Sequence, residues 1–228
     1  MSRYRALPVL VLGVAALLGC STGGTATSPG TSSTPPGATT PSTTAPTPPP
    51  TSVSPTPRET PAQHRTASLT IPAIGVTDLR VVPYEGTTDD WAGTRIQNRG
   101  DAASPYGERG GVGPGEVGNH LVTAHRLSAG GPLRRLPELD EGDRILVTAG
   151  GTRHEYVVTE TRRTSFRSPR SLAEQRAPVP GFPGRTPTRA MITVSTCLTP
   201  EDNAAGNYWR DDRGNPEHRV DKIGVLVS

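Results

Sequence analysis

A long run of serine, threonine and proline near the N-terminus confines any packed fold to the C-terminal part of the chain. Residues 20–66 carry little besides these three residue types, and their charged side chains are those of Arg58, Glu59 and Arg65. Such a segment has almost no apolar surface to bury, so it cannot offset the entropy lost on ordering. We therefore predict a disordered tether over residues 20–66 and a single folded domain over residues 67–228.

Residues 1–19 have the features of an export signal. A short positive region precedes the apolar run Ala6–Gly19, which is too short to span a membrane comfortably. The run leads into Leu-Leu-Gly-Cys20, which resembles a bacterial lipobox, with cleavage before Cys20 and lipidation of its sulfur. The alternatives are an ordinary secretory signal or an uncleaved anchor. We expect a lipoprotein-type signal peptide and an exported protein that is lipid-anchored at the extracytoplasmic face of the cell membrane, facing the cell wall.

The composition excludes several functional classes. A net charge of only +3 argues against a strongly basic protein that binds nucleic acid. Two cysteines allow at most one disulfide bond, so the chain is not a disulfide-stabilised scaffold. If Cys20 is acylated, Cys197 is left as a free thiol. We expect no nucleic acid partner.

The pattern of residues 67–228 predicts short β-strands between turns. Gly150-Gly151 separates two of these runs, which is a strong hairpin signal. The predicted strands are Ser68–Ile71, Leu79–Tyr84, Asn119–His125, Arg144–Ala149, Arg153–Thr161, Ala190–Cys197 and Arg219–Val227. Helix is favoured only at Pro169–Arg176 and at Leu133–Leu139. Many brief strands with one or two short helices indicate an all-β sandwich or barrel.

Cys197 ends a predicted strand on its more polar face. Alternation puts Thr193, Ser195 and Cys197 on one face, and Val194 and Thr196 on the other. A lone cysteine is more often a small buried hydrophobic residue. The position at a strand end, in an exported protein, instead favours a reactive thiol.

His125 ends another predicted strand and is the candidate base for this thiol. A Cys–His pair is a common way to activate a nucleophile, because a free thiol is only about 3% thiolate at pH 7. His120 is the rival base, but a spacing of five residues puts it on the opposite face of a continuous strand. The same spacing argues against a zinc site of two histidines and a cysteine, so we expect no metal.

These segments resemble the sortase family. Residues 193–197, Thr-Val-Ser-Thr-Cys, are similar to the Thr-Leu-x-Thr-Cys signature of sortases, and Ala124-His125-Arg126 is similar to their Gly-His-Arg segment. Residues 69–76 and 136–143 fit the family as well, in the family's order. The resemblance is greatest to the class E sortases of actinobacteria, and then to class F. It implies a closed eight-stranded β-barrel and a cysteine transpeptidase without a cofactor.

The resemblance also implies roles for individual residues. Cys197 attacks the threonine carbonyl of a sorting motif of LPxTG or LAxTG type and expels glycine, while His125 transfers the protons. The acyl group then passes to an amine, such as that of a peptidoglycan precursor or a pilin lysine. Arg219 is expected to hold the peptide and steady the oxyanion. Thr196 and Arg126 are expected to contact the substrate.

Arg219 is preferred over two other arginines for this role. It opens the last predicted strand, whereas Arg210 and Arg213 lie in a polar run with glycine and proline that predicts a mobile loop. The segment 198–218 between Cys197 and Arg219 is longer than is common in the family, and it is a candidate lid or part of the substrate groove.

Two alternatives stay open on sequence alone. One is another cell-wall cysteine peptidase or transpeptidase, although the Ser-His-Gly-Cys signature of L,D-transpeptidases does not occur in this sequence. The other is a non-catalytic surface lipoprotein that binds a ligand or a wall polymer. Labelling of Cys197 by a thiol-directed mimic of a sorting peptide distinguishes a sortase from a binding protein.

Overall fold

A computed structural model describes residues 61–228, which contain a closed barrel of eight β-strands. The strands are β1 (Ala67–Ile71), β2 (Val76–Glu85), β3 (Ala102–Tyr106), β4 (Gly118–Thr123), β5 (Arg144–Ala149), β6 (Thr152–Ser165), β7 (Ala190–Cys197) and β8 (His218–Leu226). Their order around the barrel is β1-β2-β3-β4-β7-β8-β6-β5, and β5 pairs back to β1. The β2–β3 and β4–β7 pairs are parallel, and the other pairs are antiparallel. The predicted eight-stranded barrel is confirmed.

Three short α-helices lie outside the barrel, whereas the sequence predicted one or two. They are α1 (Trp91–Gln97), α2 (Pro169–Arg176) and α3 (Thr199–Ala204). Only α2 was predicted, and its bounds are as predicted. The other proposed helix, Leu133–Leu139, contains a single 3-10 turn at Leu136–Glu138. Within the described part of the chain, no helix combines the length and apolar character needed to cross a membrane.

Strand β3 was missed because Ser104-Pro105 is a turn-like pair in sequence. Proline lacks an N–H to donate, so it is confined to strand positions where a ladder bond is dispensable. β3 pairs with β4 only at Ala103–Thr123, so Pro105 lies beyond that pair and does not need to donate a hydrogen bond to β4. By contrast, the predicted hairpin at Gly150-Gly151 is confirmed, and both glycines have the positive φ angles that a tight hairpin turn requires (56° and 82°).

Alternate residues of the strands fill the barrel. The core residues with no more than 1% exposure include Leu69, Ile71, Val81, Val122, Ile145, Val147, Ile192 and Val194. Burial of each such side chain contributes about 1.5–3 kcal/mol. The outer faces of β4 and β7 carry polar residues instead, among them Asn119, Thr193 and Ser195. These are also buried, because α2 and its flanking segment cover them.

The only lysine in the sequence, Lys222, is buried within β8. Its Nζ donates hydrogen bonds to the carbonyl oxygen of Leu139 and, at 3.0 Å, to the hydroxyl of Thr161. Burial lowers the pKa of Lys222, although the carboxylates of Asp140 and its neighbours oppose this effect.

The predicted signal peptide and Cys20 lie outside the described residues, as does most of the predicted tether. Residues 61–66, the last part of that tether, have a defined conformation. Ala62–His64 forms a 3-10 turn, and the His64 ring lies 4.3 Å from that of Tyr106 on β3. This aromatic contact joins residues 61–66 to the barrel.

Candidate active site

Cys197 is the last residue of β7, and it lies directly opposite Arg219 on β8. The antiparallel register therefore brings the two side chains close together, since facing residues have Cβ atoms about 5 Å apart. The chain leaves β7 at once, and the N–H of Leu198 donates to the carbonyl oxygen of His218 at 2.8 Å. The thiol is half-buried.

A cavity of about 200 Å³ is lined by both Cys197 and His125. Three parts of the chain form its walls: residues 125–128 after β4, the junction of β7 with α3, and residues 213–216 before β8. The fold thus brings together the two residues that the sequence proposed as nucleophile and base.

His125 lies just beyond β4, and its imidazole is oriented by Asn98 at the end of α1. The two groups are joined by a hydrogen bond of 2.8 Å between Nε2 of His125 and Oδ1 of Asn98. Because an amide oxygen only accepts, this bond places the proton on Nε2 and leaves Nδ1 as the basic nitrogen. Burial lowers the pKa of His125, with a smaller opposing effect from Asp89. The imidazole is therefore neutral at pH 7.

Burial raises the pKa of the Cys197 thiol to about 11. The guanidinium of Arg219 opposes this shift, whereas the carboxylates of Asp89 and Asp211 add to it. The Sγ atom lies 3.9 Å from Oδ1 of Asn215, which it can reach as a weak donor. The resting site is therefore a neutral thiol beside a neutral imidazole.

Arg219, which faces Cys197 across β7 and β8, is 1% exposed. Its guanidinium makes an ion pair with Asp89 and stacks over the ring of Phe166, with 4.3 Å from Cζ to the ring centre. Burial acts to lower the pKa of Arg219, but the negative groups around it, Asp89 foremost, raise it above its usual value. Arg219 is a permanent cation here.

A second buried acid, Asp221, lies two residues further along the same face of β8. Its carboxylate accepts hydrogen bonds from the hydroxyls of Ser195 and Thr164 and, at 2.8 Å, from the amide of Gln175. Burial raises the pKa of Asp221. Because Gln175 belongs to α2, this cluster ties the helix to the strands that carry Cys197 and Arg219.

The structure does not place Thr196 at the cavity. Its side chain faces the core, is 2% exposed, and donates to the carbonyl oxygen of Ala124 at 2.8 Å. Arg126 does line the cavity, but its guanidinium is occupied by both carboxylate oxygens of Glu201, at 2.8 and 2.9 Å. These contacts favour a structural role, holding the segment around His125, over the substrate contacts predicted for both residues.

His120 does not reach Cys197. It is 2% exposed on the core side of β4, and its Nδ1 lies 2.9 Å from the carbonyl oxygen of Val112. Burial lowers its pKa to about 4. Within residues 61–228, no group of three or more His, Cys, Asp or Glu side chains is placed to hold a metal ion.

Sequence reasoning considered Arg213 but placed it away from this site. Its loop was predicted to be mobile, yet Oδ1 of Asp211 accepts from the backbone N–H groups of Arg213 and Asn215, at 2.9 and 2.8 Å. Asp211 was the signal available in the sequence, because an aspartate often accepts from the backbone N–H groups of the turn that follows it. Arg213 lines both the Cys197 cavity and a neighbouring cavity of about 360 Å³ that also contains Asp89.

A family model of the sortase domain matches residues 69–209. The chain belongs to the sortase family. Sortase E from Streptomyces avermitilis is 26% identical, with a TM-score of 0.51 over 73% of this chain and 90% of that one. The SrtA sortase from Actinomyces oris is 23% identical, with a TM-score of 0.54 over 78% and 87% of the two chains.

Sortase E1 from Streptomyces coelicolor, solved with a tripeptide in its active site, has the same fold. It is 22% identical, with a TM-score of 0.53 over 75% of this chain and 92% of that one. A search of curated proteins finds no match. This sortase is thus a cysteine transpeptidase that cleaves an LPxTG-type sorting signal between threonine and glycine and transfers the acyl group to an amine. The resemblance to the sortase family noted in the sequence is confirmed.

Proposed function

We propose that Cys197 is the nucleophile of this sortase, His125 its general acid and base, and Arg219 the donor that steadies the oxyanion. The observation that supports this assignment is the shared location of the three residues. His125 and Cys197 line one cavity, and Arg219 faces Cys197 across β7 and β8. The residues come from three separate strands or strand ends, so the barrel fixes their relative positions.

The first half-reaction forms a thioester. Sulfur of Cys197 bonds to the threonine carbonyl carbon, and the proton of the thiol passes to the imidazole of His125. When the C–N bond to glycine breaks, His125 returns the proton to the leaving amine. We assign stabilisation of the tetrahedral oxyanion to Arg219, because it is the cationic donor directly opposite Cys197.

The second half-reaction releases the enzyme. The nitrogen of an incoming amine attacks the thioester carbonyl, and His125 accepts the proton that this nitrogen loses. The C–S bond breaks, and the proton restores the Cys197 thiol. The cavity of about 200 Å³ is open to both steps because it borders the sulfur and the imidazole together.

Three variants of the full chain test the assignment. Cys197→Ala should abolish both peptide cleavage and labelling by a thiol-directed sorting-peptide mimic, with the fold retained. His125→Ala should lower kcat/KM by about 10³-fold, since general acid–base catalysis contributes 10²–10⁴-fold. His154→Ala is the matched control, because His154 lies on β6 and does not line the cavity. Labelling at another residue, or full activity of Cys197→Ala, would refute the proposal.

We further propose that this sortase is exported and attached to the membrane through lipidated Cys20, with residues 20–66 as a tether. The support is the lipobox-like ending of the apolar run and the serine-, threonine- and proline-rich composition that follows it. In this location the enzyme would meet proteins with LPxTG or LAxTG sorting signals. It would also meet amine acceptors such as a peptidoglycan precursor or a pilin lysine.

A further inference from the structure

Arg219 is held by an acidic residue from a distant part of the chain. Asp89 lies in the loop between β2 and α1, is 6% exposed, and its carboxylate contacts Nη1 of Arg219. The carboxylate is therefore buried against the guanidinium rather than solvated. A buried charge pair of this kind is costly to leave half-made, so its geometry is well defined.

The backbone at Asp89 is itself unusual. Its φ angle is 62°, in the left-handed region that few residues other than glycine adopt. Neighbours on both sides maintain this conformation. Asp90 accepts from the N–H groups of Thr87 and Gly93, at 3.0 and 2.8 Å, and the Thr88 hydroxyl donates to Gln175 at 3.2 Å. Such conformations persist where the surrounding structure enforces them, and they are enriched at functional sites.

Asp221 is the other acid near Arg219, but its oxygens already accept from Ser195, Thr164 and Gln175. Asp89 is therefore the carboxylate that orients the guanidinium. Nε of Arg219 is buried and has no hydrogen-bond partner within the described residues, so the ion pair with Asp89 is what holds the guanidinium.

We propose that Asp89 is a positioning residue for Arg219: it fixes the guanidinium beside the Cys197 thiol and balances its charge. The proposal rests on the roles assigned above to Cys197 and Arg219. Asp89 acts on the reaction through Arg219, and it makes Arg219 an oriented donor instead of an unpaired cation next to the sulfur.

The charge balance can be measured at the thiol. The charged and titratable groups that face the thiol from the surrounding segments are Arg219 on β8, Asp89 before α1, Asp211 and Arg213 before β8, and His125 after β4. Arg219 favours the thiolate, whereas Asp89 and Asp211 disfavour it. Loss of the Asp89 charge should therefore increase the thiolate fraction, and the thiol should react faster with iodoacetamide at neutral pH.

Two substitutions separate orientation from charge. Asn and Gly both tolerate a positive φ, so neither adds backbone strain. Asp89→Asn removes the charge but keeps an oxygen that can accept from Arg219, whereas Asp89→Gly removes both. In the full chain, both variants should alkylate at least about threefold faster at pH 7.5. Asp89→Gly should also lose at least about tenfold in kcat with KM changed less than threefold, because a misplaced donor weakens only the transition state. Asp89→Asn should retain a higher kcat than Asp89→Gly, because its side-chain oxygen can still accept from Arg219.

Two controls make the result specific. In an Arg219→Gln background, Asp89→Gly should no longer lower kcat, because the donor that Asp89 orients is gone. Asp101→Asn removes the carboxylate of a surface ion pair with Arg80 and should change neither the alkylation rate nor kcat.

Unchanged or slower alkylation in Asp89→Asn overturns the proposal, as does a kcat within twofold of wild type in folded Asp89→Gly. If Asp89→Gly does not fold, the alkylation rate of Asp89→Asn decides. Failure of the catalytic assignment would appear separately, as activity retained in Cys197→Ala or Arg219→Lys.

Discussion

The imidazole of His125 is hydrogen-bonded to the side chain of Asn98, with 2.8 Å between Nε2 and Oδ1. Asn98 follows α1, a helix that packs beside β3 and carries no other residue assigned to the reaction. The bond fixes both the tautomer and the direction of the ring. The proposed base of this sortase is therefore aligned by a segment that lies far from Cys197 in sequence.

Removal of this bond should impair proton transfer. Asn98→Ala should lower kcat about tenfold with little change in KM, because a mobile imidazole loses part of its general acid–base contribution. Steady-state cleavage of a sorting peptide measures the effect. Asn203→Ala is the control, since the side-chain oxygen of Asn203 accepts from the loop residue Arg210 and Asn203 does not line the cavity. Wild-type kcat in folded Asn98→Ala would show that the bond is dispensable.

The guanidinium of Arg219 should not be replaceable by an ammonium group. Arg219→Lys should lose roughly 3 kcal/mol of transition-state stabilisation, because lysine cannot reproduce the planar fork of donors. Arg210→Lys should stay within a few-fold of wild type, since Arg210 contacts Trp209 and Asn203 away from the cavity. Cleavage rates of the two folded variants decide. A large loss at Arg210 with Arg219 spared would move the oxyanion role into the segment 198–218.

The Cys197 thiol should ionise at unusually high pH. Burial raises its pKa to about 11, above the value of about 8.5 for a free cysteine, and only the thiolate reacts with iodoacetamide. The alkylation rate of the folded protein should therefore keep rising with pH beyond 9. In urea the same thiol should titrate near its ordinary value. A plateau below pH 9 in the folded protein contradicts the burial effect.

His120 should make the fold sensitive to acid. Burial lowers its pKa from 6.5 to about 4, so the unfolded chain binds a proton that the folded chain does not. The resulting stability is complete above pH 6.5 and is lost as pH falls toward 4, by about 3 kcal/mol. His120→Gln should flatten this part of the pH dependence, measured by urea unfolding. His154→Gln is the comparison, because His154 is less deeply buried. If the free energy of unfolding changes equally with pH in wild type and His120→Gln, His120 is not the source of the acid sensitivity.

Lipidation at Cys20 can be tested on the cellular protein. Cys20→Ala should prevent acylation and leave the precursor uncut before residue 20, because this thiol is the proposed acceptor of the lipid. Mass spectrometry of the native N-terminus measures both effects. A mature chain that begins elsewhere and carries no lipid would contradict the prediction.

Periodicity and turn residues were sufficient to predict most of the barrel. β5 and β7 have the predicted bounds, and Cys197 lies at the end of β7 as expected, because alternation and Gly150-Gly151 are local signals. β3 was not predictable in this way, since Pro105 is compatible with a strand only through pairing that is set by tertiary structure. α1 was missed as well, although Asp90 is a typical N-cap residue.

The pair of Cys197 and His125 could be predicted from their positions at strand ends and from a family signature alone. Asp89 and Asn98 could not be predicted, because their importance comes from contacts across the barrel, to Arg219 and to His125. Thr196 illustrates the converse. It lies beside the nucleophile in sequence, but the twofold periodicity of a strand turns its side chain into the core.

The burial of Lys222 bears on what the thioester can be transferred to. An enzyme that joins carboxyl groups to amines is exposed to its own side chains at far higher local concentration than to any partner. Here the lone ε-amino group of the chain lies within the barrel and is engaged by Leu139 and Thr161. No lysine side chain of this sortase is thus free to intercept the acyl group, so self-ligation through lysine is suppressed by the fold, and reagents that modify surface lysines will leave the folded domain untouched.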